Sequence, residues 1–217
     1  MRPAKLIKHF SVFGLAVMLV MLSALMLNSR TATAVIIRHD RSDADAIRLG
    51  ERFDAVGRIL PDGGCTLIGP AWAVTAAHVA ASIPRDGKVR FGGVDYTVKR
   101  TILHPEGVGP EGVPPVVDLA LIELAEPVKQ ITPVELYVGQ QELGRTLFIV
   151  GYGDYGNPRT GLKRTDFKRR AVTNVVNDAG PRRIFMTFDK PPAGSQYEGV
   201  GGPGDSGGPA LLEEGGK

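Results

Sequence analysis

From Phe53 onward the chain reads as short apolar runs separated by glycine and proline: residues 55–60, 65–68, 72–75, 88–91, 96–99 and 119–124, followed by 146–152, 168–176 and 183–188. Runs of this length, ended by residues that favour turns, fit strands that bury one face, whereas a helix needs a longer stretch to bury a stripe. With 28 glycines and 16 prolines in the chain, long helices have little room. The pattern predicts an all-β protein built from antiparallel strands. Residues 40–52 are the exception, with Ala46, Ile47 and Leu49 at loosely helical spacing, and predict a short surface turn of helix. Residues 105–115 carry Gly107, Gly109, Pro110, Gly112 and Pro114 and predict a loop bordering a cleft, and 127–133 joins two halves. Cys65 is the single cysteine, so no intrachain disulfide can form and the fold must stand on its core. Cys65 itself reads as a buried small hydrophobe rather than a nucleophile.

Residues 1–34 read as an address rather than as part of this fold. Arg2, Lys5 and Lys8 precede an apolar run over residues 10–27, and Ala32-Thr33-Ala34 is a small-residue cleavage pattern. The expectation is a signal peptide and an exported protein, secreted or periplasmic. The run is long for a signal-peptide core, so an uncleaved membrane anchor over residues 10–27 is the alternative. Residues 35–217 suffice for one domain. The net charge of +3 is mild and partly belongs to the leader, so it does not point to nucleic acid. The denser run from Lys163 to Arg170 reads as a solvated strand face or loop, with steering of anionic substrates or headgroups as the alternative.

Chemistry concentrates near the C-terminus, in Gly204-Asp205-Ser206-Gly207-Gly208-Pro209. Each residue type there favours turns, so the hexapeptide alone has a bland reading. Its functional reading is a hydroxyl framed by glycines, where the N–H groups of Gly204 and Ser206 converge beside the Ser206 side chain. A serine that attacks a carbonyl needs a base and an orienting acid. Thr75-Ala76-Ala77-His78 ends an apolar strand, and Asp118 opens Asp118-Leu119-Ala120-Leu121-Ile122. The rivals are weaker: His39 lies in a charged stretch expected to face solvent, His104 precedes a proline, Asp86 sits in a turn and Asp95 in a hairpin. The four histidines are too scattered for a zinc site, and neither metal nor cofactor is expected.

In the order His, Asp, Ser, these segments resemble the trypsin and chymotrypsin family of serine peptidases, particularly its bacterial, cysteine-poor members, over residues 53–212. Gly64-Cys65-Thr66-Leu67-Ile68, His104-Pro105 and Val150-Gly151-Tyr152-Gly153 fall where that family has comparable segments. The resemblance implies two six-stranded antiparallel barrels, the second incomplete because only residues 207–217 follow Ser206. It implies His78 as general base, Asp118 as its orienting acid, Ser206 as nucleophile, and the Gly204 and Ser206 N–H groups as oxyanion hole. Asp205 would pair with a free amino terminus, and Val35, after a cut behind Ala34, stands at a comparable distance from the histidine. Val200, six residues before the serine, would floor the specificity pocket and disfavour Lys or Arg. The function implied is an exported serine endopeptidase acting on polypeptides. The alternatives are an inactive or regulatory binding protein on the same fold, and an esterase with the same triad. As written, the chain is expected to be marginally stable and weakly active.

Overall fold

The computed structural model describes residues 34–107 and 117–214; the leader and most of the 105–115 loop lie outside the described residues. In chain order the strands are β1 (Ala34–Ile37), β2 (Val56–Ile59), β3 (Gly64–Gly69), β4 (Trp72–Thr75), β5 (Lys88–Phe91), β6 (Val94–Leu103), β7 (Ala120–Leu124), β8 (Thr146–Gly151), β9 (Asp154–Asn157), β10 (Gly161–Lys163), β11 (Arg170–Ala179), β12 (Ile184–Met186), β13 (Gly199–Val200) and β14 (Ala210–Leu211). Two helices interrupt them, α1 (Asp43–Gly50) and the single turn α2 (Ala77–Ala80).

The first half closes into a six-stranded barrel in the order β2-β3-β4-β7-β6-β5. Closure leaves no unpaired edge. Alternation along β7 turns Ala120, Ile122 and Leu124 inward, where Ile59, Leu67, Val89, Phe91 and Cys65 complete a core that is 0–1% exposed at each of these five residues. Each such aliphatic or aromatic side chain contributes about 1.5–3 kcal/mol on burial. Cys65 belongs to this apolar packing, and burial pushes its thiol upward, so it is held un-ionised.

Among the described residues the second half does not close. It forms two four-stranded sheets, β12-β11-β8-β14 and β10-β9-β1-β13. The pairing β1–β9 is parallel, an exception to the antiparallel expectation. β1, β9, β10 and β13 were not legible as strands: β9 reads Asp-Tyr-Gly-Asn, without an apolar run, and β13 is two residues long. The predicted helical turn is α1. Ser42 caps it by accepting the Asp45 N–H at 3.1 Å, with Asp43 and Asp45 in the first turn and Arg48 in the last.

The basic run is neutralised within the molecule. Arg170 is 1% exposed and is held by Asp43 at 2.6 Å and Asp166 at 2.7 Å. Arg169 meets Asp54 at 2.7 Å and Arg164 meets Asp154 at 3.6 Å. It is therefore a strand-edge feature tied to α1 and β9, with its charge balanced locally.

Candidate active site

The register of two strands sets His78 beside Asp118. β4 and β7 are antiparallel, with Thr75 opposite Ala120. Residues following Thr75 therefore lie alongside residues preceding Ala120. The chain leaves β4 into α2, whose first turn carries His78. The His78 N–H donates to Asp118 Oδ1 at 2.9 Å, and the ring Nδ1 meets Asp118 Oδ2 at 2.6 Å. Both carboxylate oxygens are thus engaged by one residue. Burial pushes the Asp118 carboxyl up, but the hydrogen bonds from the His78 backbone and ring outweigh it and hold it below the ordinary carboxylate range. An ionised partner places the imidazole proton on Nδ1 and leaves Nε2 as an acceptor. The pair is open to solvent, with side-chain exposures of 53% for His78 and 38% for Asp118. Asp118 lies two residues before β7 begins, short of the first inward-facing position, and so is not buried in the barrel.

Ser206 reaches the same end of the barrel from the other half. It stands between β13 and β14, flanked by Gly204 at φ +83° and Gly207 at φ +81°. A Cβ on Gly207 would lie 2.2 Å from Thr75 Oγ1 and 3.0 Å from the Ala76 nitrogen, so only glycine lets this backbone touch the end of β4. The Gly64 N–H donates to the Ser206 carbonyl at 2.8 Å, and Thr75 Oγ1 donates to the Gly64 carbonyl at 2.7 Å. These contacts pin Ser206 and Gly207 against the residues that lead into His78. Among the described residues no hydrogen bond joins the Ser206 hydroxyl to the His78 ring, and neither the Gly204 nor the Ser206 N–H is donated to another protein group. Catalytic hydrogen bonds are commonly long before substrate binds.

Asp205 points the other way, into the protein. Its carboxylate accepts the Gly153 N–H at 2.8 Å and the Gly202 N–H at 3.0 Å. Burial pushes its carboxyl up to about 6, with those two bonds opposing. Val200 lies on β13 opposite Ile36 of β1, and the neighbouring Ala34 of β1 is in register with Asp154, the residue after Gly153. The rivals sit elsewhere. Asp95 is paired with Arg90 at 2.5 and 2.9 Å, Asp86 occupies a turn at φ +63°, and His104 accepts the Glu106 N–H. Among the described residues no cluster of three or more His, Cys, Asp or Glu could hold a metal ion.

Two features escaped the sequence reading. Thr75 and Gly64 form the bridge under Ser206, a role with no local sequence signal. Arg38, in the charged stretch that carries His39, is 3% exposed, a burial with no local sequence signal.

The profile of the trypsin family matches residues 57–216. The chain belongs to the trypsin family. Two relatives from Corynebacterium glutamicum agree with this placement. One, from strain R and named as an uncharacterized peptidase, is 32% identical over 156 residues, covering 68% of this chain and 48% of its own length. The other, from strain ATCC 13032 and likewise named as a peptidase, is 31% identical over 157 residues with the same coverage. The chain thus spans about half the length of these relatives. Among solved structures, neuropsin, a serine protease expressed in the limbic system of mouse brain, superposes with a TM-score of 0.60 at 19% identity, over 76% of this chain and 79% of that one. That likeness concerns the fold, and it is the chymotrypsin-like arrangement of the trypsin family.

Proposed function

We propose that this chain is the peptidase domain of an exported serine endopeptidase that cleaves polypeptides through an acyl-enzyme intermediate. The observation that carries the reading is the double hydrogen bond from His78 to Asp118, made at the barrel end against which Ser206 is pinned. In this reading Ser206 Oγ attacks the scissile carbonyl and passes its proton to His78 Nε2. The carbonyl oxygen takes up the negative charge between the Gly204 and Ser206 N–H groups, and Asp118 stabilises the imidazolium. The tetrahedral species collapses as His78 returns the proton to the leaving amine. Water, deprotonated by His78, then releases the acid from Ser206.

Export rests on the leader: Arg2, Lys5 and Lys8, the apolar run 10–27 and the Ala32-Thr33-Ala34 pattern. Among the described residues no helix is long and apolar enough to cross a membrane. A cut after Ala34 would create an amino group at Val35, one residue along β1 from the position opposite Asp154 and close in sequence register to the Asp205 donor Gly153. Amino-terminal sequencing of active protein is expected to begin at Val35, and an active form that retains earlier residues would exclude this terminus as a requirement.

The catalytic reading is tested with a fluorophosphonate probe. Labelling that disappears in Ser206→Ala and falls sharply in His78→Ala is expected, together with faster turnover of peptide than of matched ester substrates relative to the uncatalysed rates. An unlabelled chain would favour a binding role on the same fold, and labelling without peptide cleavage would favour an esterase.

A further inference from the structure

The loop that leads to Val200 is held from outside by a buried cation. Arg38, on the residue after β1, sends its guanidinium under the loop 193–198. Nη1 donates to the Ala193 carbonyl, while Nε and Nη2 fork onto Asp40 at 2.7 and 3.3 Å. Its backbone N–H donates to the Glu198 carbonyl at 2.9 Å, and Arg41 Nε donates to the Gln196 carbonyl at 2.6 Å. Beyond these bonds, Ile37 and Ile36 pair with Gly199 and Val200. One short segment thus engages the loop at Ala193, Gln196, Glu198, Gly199 and Val200.

The loop is organised internally around Glu198, which is 0% exposed. Its carboxylate accepts the Asp189 N–H at 3.0 Å, the Ser195 N–H at 2.7 Å and the Ser195 hydroxyl at 2.8 Å. A carboxylate satisfied by neutral donors fixes the loop's shape, and it does not fix where the loop sits on the domain. That position is set by Arg38 and β1 on one side and by β11 on the other, where Asn174 donates to the Gly199 carbonyl at 2.9 Å, the Thr173 N–H donates to the Tyr197 carbonyl at 2.8 Å and Thr173 Oγ1 accepts the Tyr197 N–H at 3.1 Å. An arginine suits this task because its planar fork satisfies a carboxylate and a carbonyl in different directions at once.

We propose that Arg38 is a positioning residue for substrate specificity: it fixes the loop 193–200, and so the wall that receives the substrate side chain preceding the scissile bond, without touching the reacting atoms. This rests on the catalytic reading above and on the resemblance to the trypsin family, which implies that Val200 floors the specificity pocket, and it names what tunes that site. Its effect on Ser206 is indirect and small, because Ser206 is pinned separately by Gly64 and Thr75.

The experiment compares the full chain with Arg38→Ala, Arg38→Lys and Asp40→Asn. The first readout is independent of activity: amide hydrogen exchange. In Arg38→Ala the amides of Tyr197 and of residue 38, whose bonds to Thr173 Oγ1 and the Glu198 carbonyl seat the loop on the domain, are expected to exchange about tenfold faster, with barrel amides such as Ile122 unchanged. The second is kinetic. KM for peptides rises about tenfold or more and discrimination among side chains at the scissile position flattens, while labelling of Ser206 by a small fluorophosphonate that fills no pocket stays within about twofold. Arg38→Lys, which cannot fork, restores little, and Asp40→Asn, which leaves Arg38 in place, gives an intermediate effect. Unchanged exchange in the loop, or a loss confined to kcat with side-chain preference intact, overturns the proposal. If Arg38→Ala does not fold, Asp40→Asn decides by the same two readouts. Altered exchange in a chain that the probe never labels would leave the clamp standing and remove the catalytic reading instead.

Discussion

Asp118 and Asp205 are both carboxylates hydrogen-bonded by backbone N–H groups, yet they are pushed in opposite directions, and the difference is solvent. Asp118 is part-exposed and meets an imidazole, so its anion is favoured. Asp118→Asn is expected to lower kcat by about 10⁴ through the wrong imidazole tautomer while Ser206 stays in place, which pre-steady-state kinetics would register. Asp205 is buried with only neutral donors, and its carboxyl is pushed up to about 6. The folded state then holds this proton more tightly than the unfolded chain. The resulting stability is present in full below the ordinary carboxylate value and is lost as pH rises through about 6, a change of roughly 3 kcal/mol. Urea titrations from pH 4 to pH 7 should show that decline, and Asp205→Asn should flatten it. A cation brought beside Asp205 lowers its pKa and removes the decline. The same titration on protein that begins at Val35 therefore reports whether the new amino terminus reaches Asp205.

Elements matter here through where they end. β4 terminates against the Ser206 turn, and Gly207 is the contact point. Gly207→Ala combines an unfavourable φ with a collision against Thr75 and should cost roughly 2–4 kcal/mol, with loss of probe labelling. β3 offers the contrary case. Thr66 is 2% exposed and its hydroxyl has no hydrogen-bond partner among the described residues. It faces a groove of about 1030 Å³ that extends past Leu147 and Leu211 towards Asp118. Thr66→Val removes an unsatisfied hydroxyl at equal volume and should raise stability by about 1 kcal/mol, measured by urea unfolding. The barrel strands were legible because each holds a short apolar run bounded by turn formers, with inward residues at period two in β4, β5 and β7. β9 and β13 were not, because Asp154–Asn157 and Gly199–Val200 are strands only by virtue of what they pair with: β1 supplies the partner for both.

At the scale of the whole molecule, the two halves are built differently. The barrel rests on an apolar core, whereas the second half adds to its apolar clusters a set of buried polar fastenings: Arg170 with Asp43 and Asp166, Arg38 with Asp40, and Glu198 with its loop. Arg170 joins α1 to β11 across a large sequence separation. Arg170→Met should destabilise by about 2–3 kcal/mol, towards the low side for a broken buried pair because both carboxylates are part-exposed and can rehydrate. Arg52→Ala, which removes an exposed pair with Glu213, should change stability by well under 1 kcal/mol. Differential scanning calorimetry of the two variants distinguishes these cases, and the Arg52 effect should shrink more in high salt, leaving the part due to its packing over the Phe53 and Phe148 rings.

The sequence by itself determined the β class, and its resemblance to the trypsin family implied the barrel of the first half and marked His78, Asp118 and Ser206 as the residues to watch. The β class depends on local periodicity and on glycine and turn chemistry, which a short window contains. Only the tertiary structure decided that Asp118 is open to solvent, that Thr75 and Gly64 fasten the serine turn, and that Arg38 lies buried beneath the loop 193–198. Burial of a charged residue follows from partners far away in the chain, and no window around Arg38 contains Ala193 or Glu198.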